Sequence, residues 1–338
     1  MKFGIRFIEN LGRVPDIVRF SQQAELAGFD YVWYPHDIFM KNTWVVTSAV
    51  AQATSRIKIG SVGPNPYTTN PVEIASYLAT LDELSNGRAV IGIGLHTYDM
   101  VAWAGVDCRD ILEVVRESVD LIRRLLRGEV VEHHSRHFDW SDQCYLRFKP
   151  LRPDVPIYVC AFGDEFLALS GEIGDGSLPM LTPPASARRM VDCIRRGQRY
   201  NKSGPKYDRD FDIAGCAWLS LSEDGEEAEA AMRRMIAYFG PYLEAEALAT
   251  IGLKTEDFDE IRRLISNQDY ETAQKAVTRD MLKLGLTGRP RDVIDQIEEL
   301  RDAGITQINL GGPLGPDVKT AIELLGKKIL PYFAKKHD

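Results

Sequence analysis

Short apolar segments alternate with amphipathic segments along nearly the whole chain, and this alternation constrains the fold more than any other feature. The apolar segments have the length and composition of buried β-strands, and most are separated by helical patterns. Strands that alternate with helices predict a parallel sheet with helical crossovers, and eight such repeats predict an α/β fold of the closed (β/α)8 TIM-barrel type. The eight predicted strands are residues 3–8, 29–34, 57–60, 89–94, 156–161, 176–181, 213–221 and 306–312.

A doubly wound open sheet is the alternative fold. It usually carries a glycine-rich dinucleotide-binding turn after the first strand, and the segment ENLGRVP that follows strand one is not such a turn. No Pro/Gly/Ser-rich linker divides the chain, so we expect a single domain over residues 1–338. Insertions are expected at about residues 128–150, which are polar, and at about residues 224–284, which are predicted to be helical.

The acidic composition argues against a nucleic-acid partner. The chain has 41 Lys+Arg against 49 Asp+Glu, a net charge of −8, whereas nucleic-acid binding needs a basic footprint. No stretch approaches the roughly 18 apolar residues of a membrane span, so no membrane partner is expected. Arg6 and Glu9 interrupt the N-terminal apolar stretch too early for a signal peptide. These features predict a cytoplasmic protein.

Neither the cysteines nor the histidines form a strong metal-binding pattern. Five scattered cysteines without a CxxC pair favour reduced, buried thiols. His133, His134 and His137 lie in the polar segment EHHSRHFDW. A solvated loop or edge strand is favoured over a metal site there, because the pattern fixes no carboxylate or thiolate partner.

A (β/α)8 barrel has its active site at the carboxyl ends of its strands, which converts the strand prediction into a list of candidate residues. After strand two, the segment YPHDIF places His36 beside Asp37, a pair suited to hydrogen bonding and proton transfer near neutral pH. A loop salt bridge or a helix cap from Asp37 is the alternative. The candidate strand ends are residues 9–10, 36–37, 61–65, 94–98, 161–164, 180–183, 219–220 and 311–315.

Three further strand ends are rich in glycine. The segment GSVGPNPYTTNP after strand three predicts an irregular backbone that can press against a flat ring, or simply a loop leading to a helix that begins near Pro71. In GIGLHTYD the glycines permit close approach of a ligand, and His96 either contacts substrate or faces solvent. In CAFGDEFL, Gly163 begins a helix whose free amides favour an anion, although Asp164 and Glu165 can cap the same amides. The segment LGGPLGP is a second candidate anion site.

Several of these segments resemble the bacterial-luciferase-like superfamily, in particular its coenzyme F420-dependent branch and, most closely, the methylene-tetrahydromethanopterin reductases. The similar segments span the chain in order. They are MKFGIRF, AELAGFDYVW, IKIGSVGPNPYTTNP, ATLDELSNGRAVIGIG, PIYVCAFG, GEIGDG and TGRPRDVIDQIEELRDAGITQINLGGPLGPD. The resemblance implies a (β/α)8 barrel with insertions, a cytoplasmic homo-oligomer (usually a dimer), and a deazaflavin bound at the strand carboxyl ends.

The resemblance also implies roles for individual residues. A non-prolyl cis peptide that supports the ring maps onto Ser61, Val62 and Gly63, and a ring contact maps onto His36. The backbone of Ala161, Phe162 and Gly163 maps onto the segment that holds the cofactor phosphate. Asn65, Gly94 and Thr97, on the same strand ends, complete the predicted cofactor-binding set.

The chain departs from the reductase pattern near the substrate. Arg6 stands where the reductases have an acidic residue, His36 precedes Asp37 where they have Asp-His, and Leu95 and His96 replace small residues. Two interpretations of Arg6 remain open: it binds a carboxylate or phosphate of the substrate, or it forms an ion pair with a glutamate or aspartate of the barrel.

Together these observations predict an F420-dependent oxidoreductase that transfers a hydride between the deazaflavin C5 and a small conjugated substrate, for example a pterin of one-carbon metabolism. His36, Asp37 and His96 are the predicted catalytic residues, and no metal is expected. Two alternatives remain, which are an FMN-dependent monooxygenase of the same superfamily and a non-catalytic relative that binds a ligand without turnover.

Overall fold

Eight parallel strands close into a barrel, as the sequence predicts. The computed structural model describes residues 1–7, 12–95, 98–201, 211–243 and 245–335. Each strand pairs with the next along the chain up to β6 and β7, and β8 lies between β7 and β1 and closes the sheet. The barrel strands are β1 (Lys2–Arg6), β2 (Tyr31–Pro35), β3 (Lys58–Val62), β4 (Ala89–Ile93), β5 (Ile157–Ala161), β6 (Gly176–Pro179), β7 (Asp212–Leu221) and β8 (Gln307–Leu314).

Helices surround the barrel and pack their apolar faces on it. Gly28 ends the first helix with φ 97°, and Pro71 begins the third, both as predicted from the sequence. The helices are α1 (Val14–Ala27), α2 (Thr43–Ala53), α3 (Pro71–Leu84), α4 (Tyr98–Trp103), α5 (Ile111–Leu126), α6 (Gly163–Ile173), α7 (Pro184–Gln198), α8 (Gly225–Phe239), α9 (Ala245–Ala249), α10 (Asp259–Ser266), α11 (Tyr270–Ala276), α12 (Pro290–Ala303), α13 (Val318–Leu324) and α14 (Leu330–Lys335). No helix in the described ranges is long and apolar enough to span a bilayer.

The two-residue period of the strands separates an outer core from the barrel interior. On β1, Phe3 and Ile5 belong to the large apolar core between strands and helices. Gly4 faces inward, where a Cβ atom would lie 1.9 Å from Asn309 Oδ1 and 3.1 Å from Trp33 Nε1. Arg6 follows with the same inward period at the carboxyl end of the strand.

The predicted helical insertion over residues 224–284 consists of several short helices rather than one long one. Its apolar residues form a second core with Leu181 and Trp218. The chain then forms a ninth parallel strand, Gly285–Gly288, that pairs with Trp218–Leu221 beyond the closed barrel. The sequence analysis missed this strand, because its four residues, GLTG, carry only one large apolar side chain.

The polar insertion contains a short antiparallel hairpin, in which His133 pairs with Trp140. Two of its histidines lie beside carboxylates, with His134 Nδ1 2.6 Å from Asp139 Oδ1 and His137 Nε2 3.3 Å from Glu113 Oε2. Within the described residues, no group of three or more potential ligands could hold a metal ion. The segment thus forms a short strand, one of the two forms (loop or edge strand) that the sequence analysis favours.

Candidate active site

The carboxyl end of β2 places His36 and Asp37 at the mouth of the barrel. The His36 amide donates to the Val62 carbonyl at 2.7 Å, which ties the end of β2 to the end of β3. The half-buried imidazole of His36 lies 5.1 Å from the indole of Trp44, centroid to centroid. Asp37 is buried. Main-chain pairing and an aromatic contact from α2 thus fix the position of the predicted catalytic pair.

The backbone after β3 differs from the predicted cis geometry. The cis peptide bond found in the described residues joins Gly312 and Pro313, so the bonds around residues 61–63 are trans and the predicted non-prolyl cis peptide is wrong. The chain instead changes direction at Gly63, which has φ 86° and donates its amide to the Gly92 carbonyl at 2.7 Å. Left-handed φ at a glycine produces the irregular turn without a cis bond.

Ser61 and Asn65 have different positions from those expected of ligand contacts. Strand alternation turns Ser61 toward α2, where its hydroxyl oxygen lies 2.8 Å from Thr43 Oγ1 in a fully buried pair. Val62, the next residue, belongs to the interior cluster. Asn65 Oδ1 accepts hydrogen bonds from the Tyr67 and Thr68 amides at 3.2 and 3.0 Å. The Asn65 side chain therefore holds the loop that follows β3, and the Ser61 side chain ties the end of β3 to α2.

Gly94 ends β4 in a conformation that only glycine adopts readily. Its φ is 155°, and a Cβ atom there would lie 2.5 Å from the Cys160 carbonyl oxygen. Its amide donates to the Pro64 carbonyl at 3.2 Å, so the ends of three neighbouring strands meet at this point. The predicted site residues His96 and Thr97, and the strand-one end at residues 9–10, lie outside the described residues.

The end of β5 leads directly into α6. Ala161 is buried, Phe162 is half-buried, and Gly163 has φ 69°. The capping position, Phe162, provides no side-chain hydrogen bond to the first turn. Asp164 binds Arg189, with 2.9 Å between Oδ1 and Nη2. Among the described residues, no hydrogen bond from the first-turn amides to Asp164 or Glu165 is formed, so the expected capping is not observed. The free amides of α6 suit an anion, while the two acidic side chains of its first turn act against one.

The second glycine-rich candidate, LGGPLGP, continues β8 rather than forming an open loop. Leu314 is fully buried and has φ 68°. At Gly315 a Cβ atom would lie 2.4 Å from the Leu221 carbonyl oxygen. This segment packs tightly on the end of β7, which leaves less room for a phosphate than the start of α6 does.

Arg6 ends β1 inside the barrel mouth. It is 6% exposed, and a Cβ atom on Gly311 would lie 2.8 Å from its Nη2 and 3.0 Å from its Nε. The Nε atom is buried and has no hydrogen-bond acceptor in the described ranges. No carboxylate of those residues lies within 4.0 Å of the guanidinium, so the predicted ion pair with a glutamate or aspartate of the barrel is not formed there.

Two cysteines and a polar network fill the interior below Arg6. Burial raises the pKa of the Cys160 and Cys216 thiols, although the nearby Arg6 charge acts in the opposite direction. At the opposite end of the barrel Asp212 binds Lys2 Nζ at 2.8 Å and Tyr158 OH at 2.7 Å. The sequence analysis missed this network. The sequence signal for this network was a lysine and an aspartate at inward positions of strands one and seven. The network closes the end of the barrel opposite the strand carboxyl ends.

Comparisons with known proteins identify the family to which the chain belongs. The family model described as luciferase-like monooxygenase matches residues 2–307. A 5,10-methylenetetrahydromethanopterin reductase of Archaeoglobus fulgidus is 33% identical over 98% of this chain and 99% of its own length. The chain belongs to the luciferase-like monooxygenase family.

Another relative and two solved structures are similar to this chain over nearly its full length. The 5,10-methylenetetrahydromethanopterin reductase of Methanopyrus kandleri is 31% identical over 98% of this chain and 99% of its own length. A solved structure of the coenzyme F420-dependent tetrahydromethanopterin reductase of that organism superposes with a TM-score of 0.91, 29% identity and coverage of 98% and 99%. An F420-dependent secondary alcohol dehydrogenase, with a TM-score of 0.79, 22% identity and coverage of 97% and 98%, shares the fold.

Proposed function

We propose that this chain is an F420-dependent oxidoreductase that transfers a hydride between the deazaflavin and a small conjugated substrate. The observation that carries the proposal is the superposition, over 98% of the chain with a TM-score of 0.91, on a structure named as a coenzyme F420-dependent reductase. The similarity to named reductases also extends over nearly the full length of both sequences. A pterin-type acceptor such as methylene-tetrahydromethanopterin is the first substrate to test.

The residues at the barrel mouth fit such a cofactor. The uncapped amides at the start of α6 suit the phosphate of the cofactor tail, and Arg189 offsets the negative charge of Asp164 beside them. The turn at Gly63 and the backbone at Gly94 and Phe162 offer main-chain surface for a flat ring. We therefore keep Val62, Gly63, Gly94, Ala161, Phe162 and Gly163 as cofactor contacts. We assign Asn65 to positioning the loop and Ser61 to tying β3 to α2.

When bound, F420 supplies a ring carbon that donates or accepts a hydride, and the protein supplies position and electrostatics. His36 and Asp37 are held at the mouth by the β2–β3 pairing. His36 is the proposed proton donor or polar contact, because imidazole titrates near neutral pH. The predictions for His96 and Thr97 stand as proposals. The Asp212 network closes the far end of the barrel, so water and substrate enter from the carboxyl ends of the strands.

We further propose that the chain forms a single domain, is located in the cytoplasm and assembles as a homodimer. All five cysteines are free thiols; Cys160, Cys193 and Cys216 are buried as expected, whereas Cys108 and Cys144 are half-buried. The net charge of −8 supports a small-molecule substrate rather than nucleic acid.

The test is consumption of chemically reduced F420 under anaerobic conditions. The acceptor panel contains methylene-tetrahydromethanopterin and methylene-tetrahydrofolate, and a parallel reaction contains reduced FMN with oxygen. The proposal expects oxidation of F420 that depends on both enzyme and acceptor. Oxygen-dependent turnover with FMN alone would support the monooxygenase alternative. A folded barrel that turns over no acceptor would support the non-catalytic alternative.

A further inference from the structure

Arg6 is the buried charge that the proposed function leaves unexplained. It ends β1, and its backbone pairs with Gly311 of β8 and Trp33 of β2. The guanidinium lies against the bare backbone of Gly311, where even a methyl group would lie 2.8 Å from Nη2. The interior is therefore shaped to hold this side chain close to the mouth rather than to let it extend into solvent.

The charge of Arg6 is not compensated by the described part of the chain. Lys2, which faces inward on the same strand, pairs with the Asp212 carboxylate at 2.8 Å. Arg6 has no carboxylate within 4.0 Å among those residues, and its Nε has no acceptor. A buried charge without a partner is costly, and proteins normally pair it. A bound anion would remove that cost.

The two buried thiols that lie beside Arg6 cannot take the place of that anion. The thiols of Cys160 and Cys216 lie close enough to Arg6 to feel its charge, but burial raises the pKa of both, so they stay neutral near pH 7. The amide nitrogen of Asn309 has no oxygen acceptor among the described residues and lies beside the sulfur of Cys216. This wall of the interior therefore offers donors and a positive charge.

We propose that Arg6 is the receptor for a carboxylate of the substrate, an inference that rests on the proposed function and narrows its substrate class. A carboxylate matches the planar fork of a guanidinium and forms two parallel charge-assisted hydrogen bonds with it. A neutral acceptor leaves the charge uncompensated, and a cationic one is repelled. The structure thus favours conjugated acceptors that carry a carboxylate over those that carry a positive charge.

The experiment measures binding of benzoate, with benzamide as the neutral control of the same shape. Thermal unfolding and isothermal calorimetry are recorded at constant ionic strength for the wild type, R6Q, R6K and R234Q. Arg234 is an exposed arginine of α8, so R234Q makes the same charge change away from the mouth. We expect benzoate, and not benzamide, to raise the unfolding temperature of the wild type and of R234Q. R6Q should weaken benzoate at least about tenfold, since charged hydrogen bonds contribute about 1.5–3 kcal/mol.

R6K keeps the charge without the fork and should bind benzoate with intermediate affinity. This comparison keeps the proposal testable where R6Q fails to fold. Equal responses to benzoate and benzamide in the wild type would overturn the proposal, as would unchanged benzoate binding in R6Q or R6K. Binding of F420 is measured separately on the same samples. Bound F420 without selective benzoate binding refutes the role of Arg6 alone, whereas failure to bind F420 refutes the proposed function.

Discussion

The indole ring of Trp33 occupies the space that any side chain at Gly60 would need. A Cβ atom on Gly60 would lie 2.0 Å from Trp33 Cε3 and 2.3 Å from Cζ3. Trp33 is fully buried, stacks on Tyr31 with centroids 5.8 Å apart, and meets Tyr158 edge-on at 5.4 Å. The middle of the barrel is therefore filled with aromatic side chains, and a ligand has room only above them, at the strand carboxyl ends.

This packing predicts that Gly60→Ala lowers the free energy of unfolding by about 3 kcal/mol or more, because overpacking forces the ring and the strand apart. Chemical denaturation followed by far-UV circular dichroism measures the change. Gly225→Ala is the matched control, because its Cβ atom would meet Arg289 only at 3.7 Å, at the start of a helix. Equal stability of the two variants would contradict the packing described here.

The carboxylate of Glu25 predicts a pH dependence of stability. Burial alone raises the pKa of Glu25, but hydrogen bonds from the Ile57, Arg56 and Ser55 amides outweigh it and lower the pKa below its usual range. An acid of this kind stabilises the fold above its unfolded pKa of about 4.3, and the contribution is lost as pH falls through the lower, folded pKa.

We therefore expect Glu25→Gln to be less stable than the wild type at pH 7, by about 1 kcal/mol or less because solvent screens the partly exposed group. The difference should shrink below about pH 4.3. Urea denaturation at several pH values between neutral and acid measures it. A difference that stays constant over this range would rule out the linkage to Glu25.

Asp82 anchors the segment before β5 to the barrel. It is fully buried, accepts hydrogen bonds from Arg152 Nε at 2.9 Å and Nη2 at 2.5 Å, and accepts another from the Ala89 amide. Asp82→Asn should lower the free energy of unfolding by about 1–3 kcal/mol, since the buried side chain loses its charge while the partly exposed Arg152 stays hydrated. Glu271→Gln, in an exposed pair with Lys275, should leave the denaturation midpoint unchanged. Similar denaturation midpoints for both variants would show that the Asp82–Arg152 pair does not contribute to stability.

Asp164 places a negative charge in the first turn of α6, where the cofactor phosphate is proposed to bind. Asp164→Asn removes that charge and frees Arg189. We expect F420 to bind about two to five times more tightly, in line with the 0.3–1 kcal/mol of a charge at a helix terminus. Glu172→Gln, near the other end of α6, is the control. Weaker binding in Asp164→Asn would place the phosphate elsewhere.

The barrel could be predicted from the sequence because its eight strands are short, mostly apolar segments, and helical patterns separate most of them. The strand Gly285–Gly288 could not, because its pairing depends on the extension of β7 past Trp218, a tertiary feature. The Ser61 side chain points toward Thr43 because of the strand register. The sequence does not determine that register to within one residue, and a shift of one residue would turn Ser61 to the other face.

The candidate site was predicted in outline from the rule that strand carboxyl ends carry function. His36, Asp37, Gly63, Gly94 and Gly163 all lie at such ends. The backbone geometry was not predictable in the same way, because a left-handed glycine and a cis bond can each turn the chain at Gly63. Whether Arg6 forms an ion pair also required the structure, since only the fold shows whether a carboxylate lies near its guanidinium.

The most direct measurement of the central claim is equilibrium dialysis of the purified chain against F420 and, in parallel, against FMN. We predict that the chain retains F420 saturably, at about one per chain, because the barrel has a single preformed mouth. We predict no retention of FMN. Retention of FMN without F420 would contradict this prediction.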